Sequence, residues 1–564
     1  MFNKGFATNH LPSLPFSCRD LPVLKKLPAI CFVSFSLLLP WVTYAETFDR
    51  DSVSSLQKNN AETSRPTSLH WGPNGEKYSS WGNHSNRLIP IYTFGINLDA
   101  FDGTNSIYRN EEKLEQLFGY LPTDTVNPKA EYLDQTDVYR LQKQAVESGK
   151  KRVILFIYDG MDWQTTWAAA IHKSGKVGYR EGRGTGLHFQ DYRGAKTDFG
   201  YFVTTPHNSG TDVNIDRQIV TSPGGSTKGG YNVGEAGEFP WSVPADADYL
   251  IAKGKNIVHA FTDSASSATS MTSGIKTYNN SINVNYMGRE VLPIARQLQD
   301  DGWKIGVVTS VPICHATPGA AYANNVHRYD YQDISRDLVG RPSVYHPGGL
   351  PGVDVLIGGG WGDEKKKDGN QGKNFVPGNP YLTAEDQQAI DVANGGKYVV
   401  AQRTPGQDGK QVLEQGVTKA IQEGHRLFGF FGVARGHLPF QTADGKYDPV
   451  VSSKSSGPTA AEKYTEADLR ENVTLADMSI AALDVLQAQG KPWWLMIESG
   501  DVDWANHSNN IDDSIGAVLS GDQAFHKVTQ WIEAHGGWDD TCLILTADHG
   551  HYLVIEDPEA LTGK

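Results

Sequence analysis

The sequence predicts a large α/β protein, a three-layer sandwich whose central, mostly parallel sheet is flanked by helices and carries long loop insertions. From Lys151 onward, short apolar runs alternate with longer amphipathic or loop segments. Nearly continuous runs of β-branched and aromatic residues are typical of strands buried on both faces of a parallel sheet. The predicted strands are residues 153–158, 257–261, 305–309, 353–357, 427–431, 493–497 and 542–545.

The remaining segments are assigned around this sheet. Residues 46–150 are polar and rich in turns, which predicts an N-terminal extension packed on the core, with helices near 111–118 and 136–148. We find no chemical motif in this extension. Residues 151–564 form the predicted main domain, and its Gly-rich segments 180–255 and 340–420 are interpreted as the insertions.

The first 45 residues have the layout of a secretory signal peptide. Lys25 and Lys26 precede an apolar run, and the small-residue site ending at Ala45 follows it. The alternative is an uncleaved membrane anchor, but the run is shorter than the ~20 apolar residues that a spanning helix needs. We therefore expect an exported protein, periplasmic or extracellular, without a stable membrane span.

The charge balance bears on the kind of partner. The predicted signal peptide holds four basic residues and one acidic residue of the 51 and 65 in the chain, which leaves a formal net charge of −17. Nucleic acids are bound through Lys and Arg, so this balance argues against nucleic acid recognition. An anionic substrate would need a local positive centre, and bound metal ions can supply one.

Two of the four cysteines, Cys314 and Cys542, lie outside the predicted signal peptide. Each stands inside or beside an apolar, strand-like run. Two cysteines can form one disulfide or none, and the spacing does not decide between them. Buried free thiols are the simpler interpretation.

Polar side chains follow five of the predicted strands, where sites form in open α/β sheets. One Asp after a strand usually caps a helix, and one His is usually structural, so a single instance would mean little. The coincidence of five, with Asp503 and His507 at i, i+4 spacing and Asp548 beside His549, indicates a multi-metal hydrolase. Mixed Asp/His sets suit zinc, whereas all-oxygen sets suit magnesium.

Ser264 stands at the turn between the predicted strand 257–261 and a run of small, helix-compatible residues. A serine at a helix N-terminus lies near unpaired backbone N–H groups and the positive end of the helix dipole. That field favours a serine alkoxide and a docked phosphate. The alternative is an ordinary helix cap.

Together these pieces closely resemble the alkaline phosphatases over about residues 150–555, in family order. The matching motifs are D-G-M at 159–161, T-D-S-A-S-S-A-T at 262–269, H-A-T-P at 315–318 with Arg328 following, E-S-G-D-V-D-W-A-N-H at 498–507 and T-A-D-H-G-H at 546–551.

The resemblance implies a metal-dependent phosphomonoester hydrolase that acts through a phosphoserine and uses two Zn²⁺ and one Mg²⁺ per chain. Ser264 would be the nucleophile. The implied ligands are Asp159, Asp548 and His549 for the zinc that activates Ser264, Asp503 and His507 for the second zinc, and Asp159, Thr317 and Glu498 for magnesium.

The resemblance also implies roles around these ligands. Arg328 would hold two phosphate oxygens through its planar fork, and Asp263 would orient it. His551 would support the metal site without binding the ion. His315 and Trp504 match positions that vary among members and tune the magnesium site and phosphate release. Substrates would be small phosphomonoesters, and a homodimer is left open.

One feature departs from the family pattern. There, a third histidine for the second zinc comes from a C-terminal segment beyond T-A-D-H, together with the last strands of the sheet. In this chain no histidine follows His551. We therefore expect the sequence to be a fragment, truncated at its C-terminus, with weak activity and stability.

Two other interpretations remain. A phosphodiesterase, sulfatase or phosphoglycerate mutase relative would share the superfamily, although Ser264 lacks the sulfatase context and Arg328 with three metal sites favours monoesters. A non-catalytic phosphate- or metal-binding protein would keep the scaffold. The retention of Ser264 and Arg328 argues against it.

Overall fold

The computed structural model of the protein describes residues 50–454 and 456–563, with side chains from residue 52 onward. The predicted signal peptide of residues 1–45 lies outside the described residues. Within them, no helix combines the length and the apolar character that crossing a bilayer requires.

The strands are short, with the longest near the middle of the chain. They are β1 Leu69–Trp71, β2 Ile89–Phe94, β3 Leu133–Asp134, β4 Arg152–Tyr158, β5 Thr197–Val203, β6 Asp212–Asn214, β7 Ile219–Ser222, β8 Lys304–Pro312, β9 Val355–Gly359, β10 Tyr398–Gln402, β11 Arg426–Phe430, β12 Ser452–Lys454, β13 Gly457–Thr459, β14 Trp493–Ser499, β15 Thr541–Thr546 and β16 Leu553–Ile555.

The α-helices lie mostly between these strands. They are α1 Arg50–Thr63, α2 Glu111–Phe118, α3 Gln135–Glu147, α4 Trp163–Ser174, α5 His188–Asp191, α6 Val233–Ala236, α7 Ser264–Ser273, α8 Ile294–Asp300, α9 Ala316–Ala320, α10 Tyr331–Val339, α11 Ala384–Ile390, α12 Gly409–Glu423, α13 Glu466–Arg470, α14 Leu475–Ala488, α15 Asp501–His507 and α16 Ile511–Ala534.

Ten strands form the central sheet, in the order β10-β11-β9-β8-β14-β4-β15-β2-β5-β3. The first seven strands in this order, β10 through β15, are all parallel to one another. β2 is antiparallel to both of its neighbours, β15 and β5. Strands β14 and β15 are buried along their whole length, as expected when helices cover both faces of a sheet. The predicted α/β fold is confirmed.

Two rows of helices flank the sheet. Helices α4, α16, α14 and α12 pack side by side in one row, and α3, α7 and α9 pack in another. The two helices predicted between residues 111 and 148 are confirmed as α2 and α3. Helix α3 begins with a capping box, in which Asp134 and Asp137 each bind the other's backbone N–H.

Six of the seven predicted strands are confirmed, and the strand at 257–261 is wrong. Those residues are not part of any strand, and Val258 is half exposed. Side chains satisfy carbonyl groups of this segment instead of a neighbouring strand. Asn86 Nδ2 donates to the carbonyl of Ala260, and Asn279 Nδ2 donates to that of Phe261.

Part of residues 46–150 is built into the sheet. Strand β2 occupies the position beside β15, and β1 pairs antiparallel with β16, which directly follows the T-A-D-H-G-H segment. Because β2 is antiparallel to β15, the residues just before β2 lie at the edge where the parallel strands end. This segment carries His84.

Cys314 and Cys542 are both buried free thiols, so the simpler interpretation of the two cysteines is confirmed. Burial raises the pKa of each thiol to about 12. A thiol held in its neutral form packs as a small apolar side chain and is a poor nucleophile.

Candidate active site

The site forms where β4, β14 and β15 end together. Ile157 of β4 lies opposite Glu498 on one side and Thr546 on the other. Because these strands are parallel and in register, Asp159, Glu498 and Asp548 reach the same edge of the sheet. All three carboxyl groups are buried.

Ser264 is the first residue of helix α7, as predicted. Asp263 caps this helix, since its carboxylate accepts a hydrogen bond from the backbone N–H of Ser266 at 3.0 Å. Ser264 is 1% exposed, and its hydroxyl lies in the field of the helix N-terminus, which favours negative charge on the oxygen.

The side chains around Ser264 form the first ligand group. Ser264 Oγ lies 3.1 Å from His549 Nε2 and 3.4 Å from Asp159 Oδ1. His549 Nε2 is also 3.2 Å from Asp159 Oδ1 and 3.4 Å from Asp548 Oδ2. Burial raises the pKa of Asp159 and the pKa of Asp548 well above the ordinary value of a carboxyl group. A cation among these atoms would relieve that cost.

A second group surrounds Asp503. Its Oδ1 lies 2.7 Å from His551 Nε2, 3.4 Å from His507 Nε2 and 3.8 Å from His84 Nε2. These four residues each offer one ligand atom within 4.8 Å of the others, and so do Asp159, Asp503 and His549. Although burial raises the pKa of Asp503, His507 and His551 hold it well below its ordinary value.

Two of the three histidines in this group, His84 and His507, are oriented by carbonyl oxygens. His84 Nδ1 lies 2.9 Å from the carbonyl of Thr262, and His507 Nδ1 lies 2.9 Å from that of Gly82. A carbonyl only accepts, so each Nδ1 carries a proton, and each ring turns its Nε2 inward.

His84 Nε2 and His507 Nε2 face each other, 3.2 Å apart. Two ring nitrogens at that distance repel each other unless a cation or a proton lies between them. Burial, and then the neighbouring rings of His549 and His507, hold the pKa of His84 well below its ordinary value, which disfavours a proton. The donor set of His84, His507 and Asp503 therefore fits a zinc ion.

Buried oxygens form a third group. Asp159 Oδ2, Thr317 Oγ1 and Glu498 Oε1 are buried and have no hydrogen-bond partner among the described residues. The other oxygen of Glu498 accepts a short hydrogen bond from Thr309, and burial raises the pKa of Glu498 to about 8. Unsatisfied buried oxygens are costly, and an oxygen-binding cation such as Mg²⁺ would satisfy them.

Arg328 lies beside these groups and is paired with Asp263. Its Nη1 donates to Asp263 Oδ2 at 3.0 Å, while its Nε has no partner among the described residues. Burial alone would raise the pKa of Asp263, but the Arg328 guanidinium lowers it. Asp263 also accepts from the backbone N–H of Asn280 at 3.1 Å. The remaining donors of Arg328 are free to bind an anion.

These groups open into one cavity of about 590 Å³, which Ser264, Arg328, His84 and Trp504 all line. His315 lies in the same cavity, with its ring 5.7 Å from that of Trp504. Burial is the main cause that lowers the pKa of His315 to about 3, so the ring is neutral. The structure thus brings every sequence-predicted site residue to one place.

The alkaline phosphatase family model matches residues 248–560, which is more than half of the chain. The chain belongs to the alkaline phosphatase family. The match includes Ser264, Arg328 and the segments 498–507 and 546–551, and it begins after the part of the chain that carries His84.

Relatives with this name cover different shares of the chain. Alkaline phosphatase 4 of Bacillus subtilis (strain 168) is 26% identical over 70% of this chain and 66% of the relative. The alkaline phosphatase of Escherichia coli (strain K12) is 26% identical over 53% of this chain and 60% of the relative. The Thermus thermophilus alkaline phosphatase structure has a TM-score of 0.42 at 19% identity, and the match covers 71% of this chain and 60% of that structure. The chain spans about half to two thirds of the length of the curated relatives that it matches.

His84 is the site residue that the sequence interpretation missed. It precedes a strand, whereas the polar residues that the sequence pattern singles out follow predicted strands. The available signal was the pattern of residues 84–94, in which a histidine stands just before an apolar strand-like run. A histidine before an antiparallel strand and a carboxylate after a parallel strand meet at one edge of the sheet.

Proposed function

We propose that the protein is a phosphomonoester hydrolase that acts through a phosphoserine at Ser264 and releases inorganic phosphate. Membership of the alkaline phosphatase family supports this activity. The observation that carries the proposal is the placement of Ser264 Oγ at a helix N-terminus, 3.1 Å from His549 Nε2, in one cavity with Arg328.

Three metal ions, two Zn²⁺ and one Mg²⁺, fit the side chains that converge here. In this proposal Asp159, Asp548 and His549 hold the zinc beside Ser264, and Asp503, His507 and His84 hold the other. Asp159, Thr317 and Glu498 hold the magnesium. When bound, such ions neutralise charge on the entering and leaving oxygens of the phosphoryl group.

His84 takes the role for which the family pattern uses a C-terminal histidine. The bare Nε2 of His84, turned inward by the carbonyl of Thr262, supports this assignment. His551 makes a poorer ligand, since its Nε2 is 2.7 Å from Asp503 Oδ1 and donates to that carboxylate. We therefore assign His551 to orienting Asp503.

The chain's own residues then account for the phosphoryl transfer. Arg328 holds two oxygens of the phosphate, and Asp263 keeps its guanidinium in place. Ser264 Oγ forms a bond to phosphorus while the ester oxygen leaves in line with it. Water then cleaves the phosphoserine and regenerates the Ser264 hydroxyl, so one site serves many leaving alcohols.

We also propose that the protein is exported and acts on small phosphomonoesters outside the cytoplasm. The charge and apolar pattern of residues 1–45 supports export, and the acidic balance of the remaining chain supports small-molecule substrates over nucleic acid.

The test is hydrolysis of 4-nitrophenyl phosphate by the full chain with added zinc and magnesium, beside Ser264→Ala and a chelated sample. We expect activity that both controls lose, and a phosphorylated Ser264 trapped at acid pH and identified by mass spectrometry. Faster turnover of bis(4-nitrophenyl) phosphate would favour a diesterase. A folded, metal-loaded protein that turns over neither ester and traps no phosphate would contradict the proposal.

A further inference from the structure

Two basic side chains outside the proposed phosphate-binding group line the mouth of the active-site cavity. They are Arg435 and Lys454, and both are exposed. Neither forms an ion pair with any residue that the structure describes. The protein has a formal net charge of −14, so these two cations supply local positive charge that can attract an anion to the mouth of the site.

Arg435 is held at the mouth by a fixed turn. The turn follows β11 and is closed by a hydrogen bond from the Val433 N–H to the carbonyl of His437, 2.8 Å. Arg435 has φ of 77°, a conformation that residues other than glycine adopt rarely, and Tyr381 Oη donates to its carbonyl at 3.1 Å. Non-glycine residues held in this region are enriched at functional sites.

Lys454 comes from a different element. It ends strand β12 and pairs with Gly457 across the β12–β13 hairpin. The N–H of Ser453 donates to the carbonyl of Ser508 at 3.1 Å, which fixes the hairpin to the end of helix α15. Since α15 carries Asp503 and His507, the hairpin places Lys454 close to the site.

The space between the two cations continues beyond the phosphate position. A second cavity of about 220 Å³ shares Arg435, Lys454 and Trp504 with the active-site cavity. Two acidic residues, Glu462 and Asp513, also line it, and neither forms an ion pair with Arg435 or Lys454 among the described residues. Glu462 lies 3.2 Å from His437 Nε2, and burial raises the pKa of Asp513 well above its ordinary value, which favours its neutral form.

We propose that Arg435 and Lys454 form a subsite for a second anionic group on the leaving alcohol, so that phosphomonoesters bearing a carboxylate or a second phosphate are preferred. This inference rests on the proposed function. Arg328 is committed to Asp263 and the transferred phosphate, so another anion on the substrate meets Arg435 and Lys454 at the mouth.

The test compares glycerol 3-phosphate with 3-phosphoglycerate, which differ by a hydroxymethyl group against a carboxylate. We expect Arg435→Gln/Lys454→Gln to lower kcat/KM for 3-phosphoglycerate about tenfold through KM, the size of two exposed ion pairs. The value for glycerol 3-phosphate should stay within about twofold. Combining Arg435→Lys with Lys454→Gln should restore part of the kcat/KM that the double Gln variant loses. Lys366→Gln, in an exposed loop, is the matched control and should leave kcat/KM unchanged for both esters.

Binding separates this inference from the proposed function. In a Ser264→Ala background, calorimetry should give a lower affinity for 3-phosphoglycerate when Arg435 and Lys454 are replaced, and a smaller difference at high salt. That result supports the subsite even if the unmodified protein hydrolyses neither ester. The same calorimetry is done with glycerol 3-phosphate. If the double variant lowers the affinity for both ligands equally, or for neither, the subsite is overturned.

Discussion

Two regions of the chain meet at the active site, and they reach it in opposite directions. Asp159 and Asp548 come just after parallel strands and Glu498 lies at the end of one, whereas His84 lies in the β1–β2 connection, residues 72–88, before an antiparallel strand. The first region can be found from the residues directly after each predicted strand. The second is found only once the direction of β2 is known, so proximity at a sheet edge depends on strand direction as well as on motif.

The β1–β2 connection is fixed to the site by several hydrogen bonds. The Ser85 N–H donates to the carbonyl of Gly550 at 2.7 Å, between the two histidines of the T-A-D-H-G-H segment. Asn86 Nδ2 donates to the carbonyl of Ala260 at 2.9 Å, just before Ser264. The ring of His84 stacks on that of His549 at 3.7 Å. A segment held this firmly can present a metal ligand as well as a strand end does.

The largest expected effect comes from the strand-end region. His549→Ala removes the ring nearest Ser264 Oγ, and we expect kcat for 4-nitrophenyl phosphate to fall at least about 1,000-fold, more than the 10–100-fold typical of groups that only support a ligand. His70→Ala is the matched control, since His70 is also a buried histidine but lies on β1. A loss below tenfold would contradict the assignment of His549.

A smaller effect is expected from the β1–β2 connection. His84→Ala leaves Asp503 and His507 in place, so we expect zinc affinity at that site and kcat each to fall about 100-fold. Competition with a chromogenic zinc chelator measures the affinity, and circular dichroism checks the fold. If His84→Ala behaves like His70→Ala, the two regions do not share a metal site.

Much of the fold could be predicted because a parallel sheet buried on both faces leaves continuous apolar runs. Strands β4, β8, β9, β11, β14 and β15 all carry that signal. The run at 257–261 carries it too, yet it forms no strand, and the carbonyls of Ala260 and Phe261 accept from the side chains of Asn86 and Asn279. Which group will satisfy a carbonyl depends on distant residues, and local composition does not contain that information.

Only part of the candidate site could be predicted from local sequence spacing. Asp503 and His507 are four residues apart on α15, and Asp548 and His549 are adjacent, so local spacing predicts their proximity. His84 and His507 are separated by 423 positions in the chain. The antiparallel placement of β2 beside β15 and the hydrogen bonds of the β1–β2 connection bring them to 3.2 Å.

The most direct test of the shared metal site is anomalous diffraction at the zinc edge from crystals of the zinc-loaded protein. The proposed ligand sets predict two strong peaks. One should lie about 2.1 Å from both His84 Nε2 and His507 Nε2, with Asp503 as a further ligand, and the other should lie beside Ser264. A peak bound by Asp503 and His507 with His84 turned away would contradict the claim that the segment before β2 completes the site.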